Sequence, residues 1–299
     1  MKRIIGMFVC VLGSCLLAQG IHAQDVKSAV VEDGGSGPYK AIMTTDGGLT
    51  THTLFKPQDL APFGPGRQLP VLVWGNGACA NSPWEHANFL SEIASYGFMV
   101  IAIGTMPEEG VQPEGRTESH QLLDALEWIT RQAADSQSPY SGKVDVSRVA
   151  VAGMSCGGLQ ALDVAKDERF RTVMICNSGL FKQSNAATAM PGMPMPAKSR
   201  LQEIHTPILY LLGGPEDIAY ENGMDDVSLI NHVPVFVGNL NVGHGGTYRQ
   251  HHGGAFAQVA LAWLQWQLKD DPEAATLFTG TPCGLSQWEG WTTDKKNLP

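Results

Sequence analysis

The stretch Val149-Ala150-Val151-Ala152-Gly153-Met154-Ser155-Cys156-Gly157-Gly158 decides the fold. Val149 to Gly153 is a continuous apolar run, the pattern of a strand buried on both faces. It passes without a linker into Gly-x-Ser-x-Gly and then into a short helical pattern. A serine at the apex of such a strand-to-helix turn sits in strained backbone that lifts its hydroxyl above the sheet edge. Glycines are needed on both sides because a Cβ there collides with the neighbouring strand or helix. The helix that follows aims its free amides and positive dipole end at the same point, which suits a developing oxyanion. The bland alternative is a glycine-rich turn with an incidental serine, and the strand before and helix after favour a nucleophile instead.

Working outward, β-branched apolar runs alternate with helical patterns, as in a parallel sheet flanked by helices. Tyr39 to Thr45 and Thr50 to Phe55, joined by Asp46-Gly47-Gly48, predict an opening hairpin. Leu69 to Trp74 and Phe98 to Ile103 predict buried strands. Between them Ser82-Pro83-Trp84-Glu85 has the form of a capping box opening a helix that stops near Gly97. Thr117 to Ala134 carries Leu122, Leu126, Ile129 and Ala133 at helical spacing. Arg171 to Cys176, Pro207 to Leu212 and Val233 to Val237 complete the parallel set, and Phe256 to Leu268 closes it as an amphipathic helix. There is no repeat, low-complexity tract or interdomain linker, so residues 24–299 are expected to form a single domain.

With 299 residues, 43% of them apolar, the chain can bury a large core without staples, which excludes disorder and a small disulfide scaffold. The formal charge of −9, with no Lys/Arg run, is a poor match for nucleic acid or an anionic membrane surface. Residues 1–23 have the form of a signal peptide. Lys2 and Arg3 make a positive start, Ile4 to Leu17 is apolar, and Ile21-His22-Ala23 ends in a small residue, so cleavage is expected after Ala23 and the protein is expected to be secreted or periplasmic. A rival reading makes Leu12-Gly13-Ser14-Cys15 a lipoprotein box. No later segment reaches membrane-span length. Export leaves Cys79, Cys156, Cys176 and Cys283 in an oxidising compartment, with several pairings open.

A serine hydroxyl is a weak nucleophile and needs a base and an orienting acid. Gly213-Gly214-Pro215-Glu216-Asp217 follows a predicted strand and puts Asp217 just past its carboxyl end, ahead of the competing Glu216, Asp225 and Asp226. Gly243-His244-Gly245-Gly246 follows the next strand, and its glycines leave an imidazole room to swing over Ser155. His52, His86, His120, His205 and His232 fall before or inside predicted elements, while His251 and His252 are nearer rivals. Ser155, Asp217 and His244 are therefore the candidate catalytic residues. The oxyanion needs a second amide besides that of Cys156, and the loop Gly75-Asn76-Gly77-Ala78-Cys79 offers Ala78, with Gly77 or Asn76 one or two residues away. If this loop and Cys156 converge on one oxygen, a Cys79–Cys156 bridge is within reach. Free buried thiols or a bridge to Cys283 are the alternatives.

Together these four motifs resemble the α/β-hydrolase superfamily. Phe89 to Ile101 is similar to the corresponding part of secreted cutinase-like polyester hydrolases and of dienelactone-hydrolase-type esterases. The resemblance spans roughly residues 65–268. It implies an α/β fold with a mostly parallel eight-stranded sheet, helices on both faces and a small or absent lid. It also implies a Ser-Asp-His triad and acyl transfer to water without a cofactor. The sequence departs from many relatives in having Cys156 directly after the serine and Gly-Asn-Gly where they carry His-Gly.

The resulting expectation is a serine carboxylic-ester hydrolase acting through an acyl-enzyme. Its substrates are expected to be small esters or polymer-linked ones, acetyl or feruloyl groups on polysaccharide or polyesters. Trp74, Asn76, Gly77 and Phe181 are the expected substrate contacts. Trp84 is expected nearby in an open cleft, and Ala189-Met190-Pro191-Gly192-Met193-Pro194-Met195-Pro196 is either an adaptable pocket wall or a solvent loop. A serine peptidase, and a non-catalytic carbohydrate-binding or surface protein of the same fold, are the other classes. No H-E-x-x-H or paired Cys/His spacing predicts a metal, and His251-His252 stands alone. After Leu268, Cys283, Trp288 and Trp291 carry no assignable chemistry, and the tryptophans are expected to cover a core edge.

Overall fold

The computed structural model describes residues 26–107, 114–182 and 192–299; the expected leader and the start of the methionine-proline run lie outside them. Among the described residues ten strands form one sheet: β1 (Ser28–Ala29), β2 (Ala41–Thr44), β3 (His52–Pro57), β4 (Leu69–Gly75), β5 (Met99–Ile103), β6 (Val144–Met154), β7 (Phe170–Cys176), β8 (Ile208–Leu212), β9 (Val235–Leu240) and β10 (Trp291–Lys296). Their order is β1-β2-β3-β5-β4-β6-β7-β8-β9-β10. The six strands β4 to β9 pair in parallel, and β1 to β3 and β10 run antiparallel at the edges.

The expected count of eight strands is corrected to ten. β1 is too short for any periodicity to show. β10 reads Trp-Thr-Thr-Asp-Lys-Lys, and its charges suit a sheet edge but hide it from an apolar-pattern reading. The capping box at Ser82 is also absent. The Ser82 hydroxyl is buried without a partner, and a single 3₁₀ turn, Trp84–His86, precedes α1 (Ala87–Ser95). The remaining helices are α2 (His120–Ala134), α3 (Cys156–Val164), α4 (Tyr220–Leu229), α5 (Gly254–Lys269) and α6 (Pro272–Ala275).

Alternation along each strand divides the core between the two faces. Val71, Val73, Val149 and Val151 pack with Leu122, Leu126 and Trp128 of α2, Leu159 of α3 and Val227 of α4. Leu72, Trp74, Ala150 and Ala152 pack on the other side with Phe89 and Ile93 of α1 and Phe256, Trp263 and Leu264 of α5. Trp291 of β10 joins this second layer against Phe256, with ring centroids 5.9 Å apart, while Trp288 remains partly exposed. Burying both faces of the parallel strands in apolar side chains supplies the main stabilisation. Because β4, β6, β8 and β9 are parallel, their carboxyl ends share one edge, and the loops leaving it meet there. Among the described residues no helix is long and apolar enough to cross a membrane.

Candidate active site

Ser155 sits between β6 and α3 at φ 53°, ψ −115°, a conformation a non-glycine residue adopts only when its surroundings impose it. The surroundings are close-packed backbone. A Cβ on Gly153 would run into the Gly157 carbonyl, and one on Gly157 into the Gly75 carbonyl, so glycine at these places lets β4, β6 and α3 approach. The Ser155 amide donates to the Cys176 carbonyl (3.0 Å), and the Ser178 hydroxyl donates to the Ser155 carbonyl (2.7 Å). These bonds hold the turn from the β7 side.

The Ser155 hydroxyl donates to His244 Nε2 across 2.9 Å. His244 Nδ1 in turn donates to Asp217 Oδ1 across 2.6 Å; a carboxylate can only accept, which sets the tautomer. The Asp217 side chain is fully buried and His244 is 28% exposed. Asp217 Oδ1 also accepts from the Ala219 amide (2.9 Å), and Oδ2 accepts from the Gly213 amide (3.1 Å) and from Asn177 Nδ2 (2.8 Å). Burial works against this charge. The hydrogen bonds from His244, Ala219 and Asn177 outweigh it and hold the carboxyl below its ordinary pKa.

The competing groups lie elsewhere. Glu216 is exposed, and Asp225 and Asp226 pair with Lys198 on the flank of α4. His251 and His252 form a 3₁₀ turn before α5. Cys176 is fully buried, and burial pushes its thiol up to about 12 despite an opposing hydrogen bond with Tyr248, so it is no rival nucleophile.

Cys79 and Cys156 are joined in a disulfide, with Cα atoms 5.2 Å apart. It ties the loop after β4 to the first residue of α3, the two segments expected to supply oxyanion amides. Ala78 stands at φ 55° beside it. Ala78, Cys156, Ser155 and His244 open onto one cavity of about 540 Å³, whose apolar wall includes Met154, Leu159, Phe181, Met193 and Ile218. Gly77 lines this cavity as well.

Two expected contacts are corrected. Trp74 is fully buried, packed on His86, Phe89 and Tyr248 behind the loop, and does not line the cavity. A tryptophan at the end of a central strand faces whichever layer its register dictates, here the α1 and α5 side. Asn76 is 1% exposed, and its amide donates to the Ala80 (3.0 Å) and Ile103 (2.6 Å) carbonyls, so it braces the loop from within. Trp84 is exposed beside a separate hollow lined by Val31 and Met106. Sequence reasoning missed Asn177, whose Oδ1 accepts from the buried Tyr248 hydroxyl while its Nδ2 serves Asp217. The one available signal was Asn-Ser-Gly directly after a strand, a turn signature. It also missed Ile218 on the wall, whereas Met193 belongs to the methionine-proline run read as a pocket wall or a solvent loop and lines the cavity.

A family model described as PETase, PET hydrolase-like, matches residues 78–282. The chain belongs to the PET hydrolase-like family. Membership places it among ester hydrolases of the α/β-hydrolase fold, and the sheet described above, open and mostly parallel with helices on both faces, is that architecture. The matched region contains Ser155, Asp217 and His244, both bridged cysteines, and the apolar wall formed by Met154, Phe181 and Ile218. A search of curated proteins finds none that matches the chain.

Proposed function

We propose that this PET hydrolase-like protein is an exported serine esterase that cleaves polymer-linked esters, polyesters first among them, through an acyl-enzyme. The observation that carries the reading is the hydrogen-bonded row from the Ser155 hydroxyl through His244 to buried Asp217 at the mouth of an apolar cavity. In this reading Ser155 Oγ attacks the ester carbonyl as His244 Nε2 takes its proton, and the carbonyl oxygen becomes an oxyanion facing the Ala78 and Cys156 amides. His244 gives the proton to the departing alcohol. A water then attacks the acyl-serine, with His244 again taking and returning a proton. Asp217 keeps Nδ1 protonated and stabilises the imidazolium. Export is supported by the disulfide, which persists in oxidising compartments.

The apolar wall suits hydrophobic acyl or aromatic groups, and the open mouth admits a chain longer than the cavity. Turnover of p-nitrophenyl acetate and of a polyester film by wild type and Ser155→Ala tests the assignment. The variant should lose on the order of a million-fold in turnover and all labelling by a fluorophosphonate probe. Near-full activity in that variant would refute the nucleophile, and cleavage of peptide p-nitroanilides without ester turnover would refute the esterase reading.

A further inference from the structure

The segment after His244 carries a second cluster that ester cleavage does not use. His251 and His252, alone in the sequence, are met in the fold by Glu32, 220 residues before His252. One ligand-type atom from each of Glu32, His251 and His252 lies within 4.8 Å of the others. His252 stands in left-handed backbone at φ 53°, and Glu32 does so at φ 51°. The two adjacent imidazoles fall on one side of the chain, with ring centroids 3.7 Å apart. The Glu32 carboxylate accepts from the His252 amide (2.9 Å) and from Asn88 Nδ2 (2.8 Å), which aims it at the pair. Behind one imidazole, Asp33 Oδ1 lies 2.8 Å from His252 Nε2.

Two nitrogens and a carboxylate oxygen are the donor set of zinc and neighbouring transition ions, whereas calcium and magnesium call for oxygen alone. A carboxylate hydrogen-bonded to a histidine is the support such sites use to fix the ring. We propose that Glu32, His251 and His252 form a surface site for a zinc-class divalent ion, with Asp33 as the positioning residue for His252. None of these four residues lines the cavity at Ser155. The ion clips the N-terminal segment to the turn before α5 and takes no part in hydrolysis, so failure of this site leaves the esterase reading untouched.

Calorimetric titration of the EDTA-treated full chain with zinc chloride, and separately with magnesium chloride, tests the site. Zinc should saturate at one equivalent and raise Tm, and magnesium should do neither. His251→Ala and Glu32→Gln should each abolish the zinc heat, and Asp33→Asn should weaken it by about tenfold. Ester turnover should be the same with and without EDTA. Absence of saturable binding at millimolar zinc, or binding that survives both His251→Ala and Glu32→Gln unchanged, would overturn the proposal.

Discussion

Asn177 joins three groups: it donates to the Asp217 carboxylate and to the Gly243 carbonyl and accepts from the Tyr248 hydroxyl. It does so at φ 44°, where asparagine is tolerated better than most residues. Asn177→Ala should leave the Tyr248 hydroxyl buried with only the weakly accepting Cys176 sulfur as partner, and Asp217 short of one donor. We expect a loss of about 1–3 kcal/mol in stability and roughly ten- to a hundredfold in kcat with little change in KM, as read by denaturant melts and steady-state kinetics. A normal kcat would show that Asn177 only braces the loop. Ser155, Asp217 and His244 were legible because each stands in a local setting with its own signature, a glycine-flanked turn or a post-strand loop. Asn177 and Tyr248 were not, since their roles arise from a meeting of β7 with the segment after β9. Trp74 and Asn76 misled for a related reason: adjacency to a functional loop does not say which side of it a side chain faces.

At the scale of elements, the parallel strands were readable because burial on both faces leaves continuous apolar runs, whereas α4 and β10 carry too much polar and charged surface to stand out. β10 nonetheless pairs with β9 at six positions, from Trp291↔Leu240 to Lys296↔Val235. Trp291 anchors it with only 7% exposure. Trp291→Ala should cost about 3 kcal/mol or more and free the β9 edge for pairing between molecules. A lowered Tm accompanied by concentration-dependent light scattering would register both effects, and an unchanged Tm would mean the strand is dispensable. The Cys79–Cys156 bridge couples two other elements, the loop after β4 and α3, across a sequence separation of 77 residues. Closing so long a loop is worth about 4 kcal/mol in the chain-entropy view. The Cys79→Ala/Cys156→Ala pair should lose stability on that order and, where the loop amide drifts from the oxyanion, about a hundredfold in kcat. Kinetics well below the variant's Tm separate these effects; full kcat there would remove the bridge from the chemistry.

For the molecule as a whole, acid sensitivity should follow from His86. It is buried beside Trp74 and Tyr248 with Nδ1 unpaired, and burial, helped by the charge on Arg249, pulls its pKa down to about 3. The unfolded chain takes up this proton near the ordinary value of 6.5. Between 6.5 and about 3 the unfolded state therefore holds more protons, and stability is lost as pH falls. Asp226 has the opposite sign. Burial raises its carboxyl to about 6 against the pull of Lys198, so its contribution falls as pH rises from 3.8 to about 6 and only partly offsets the histidine. His86→Phe, which keeps the ring packing, should flatten the decline of Tm between neutral pH and about pH 4; an equally steep decline would assign acid sensitivity to the carboxylates.

The covalent tie between the β4 loop and α3 also bears on how the protein is made. Synthesis in a cytoplasm that keeps thiols reduced would give polypeptide with every side chain in its place in the sequence but no cross-link at the site. Two preparations from one gene would then differ in specific activity according to the compartment that folded them. Mild oxidation of the weaker one should restore it.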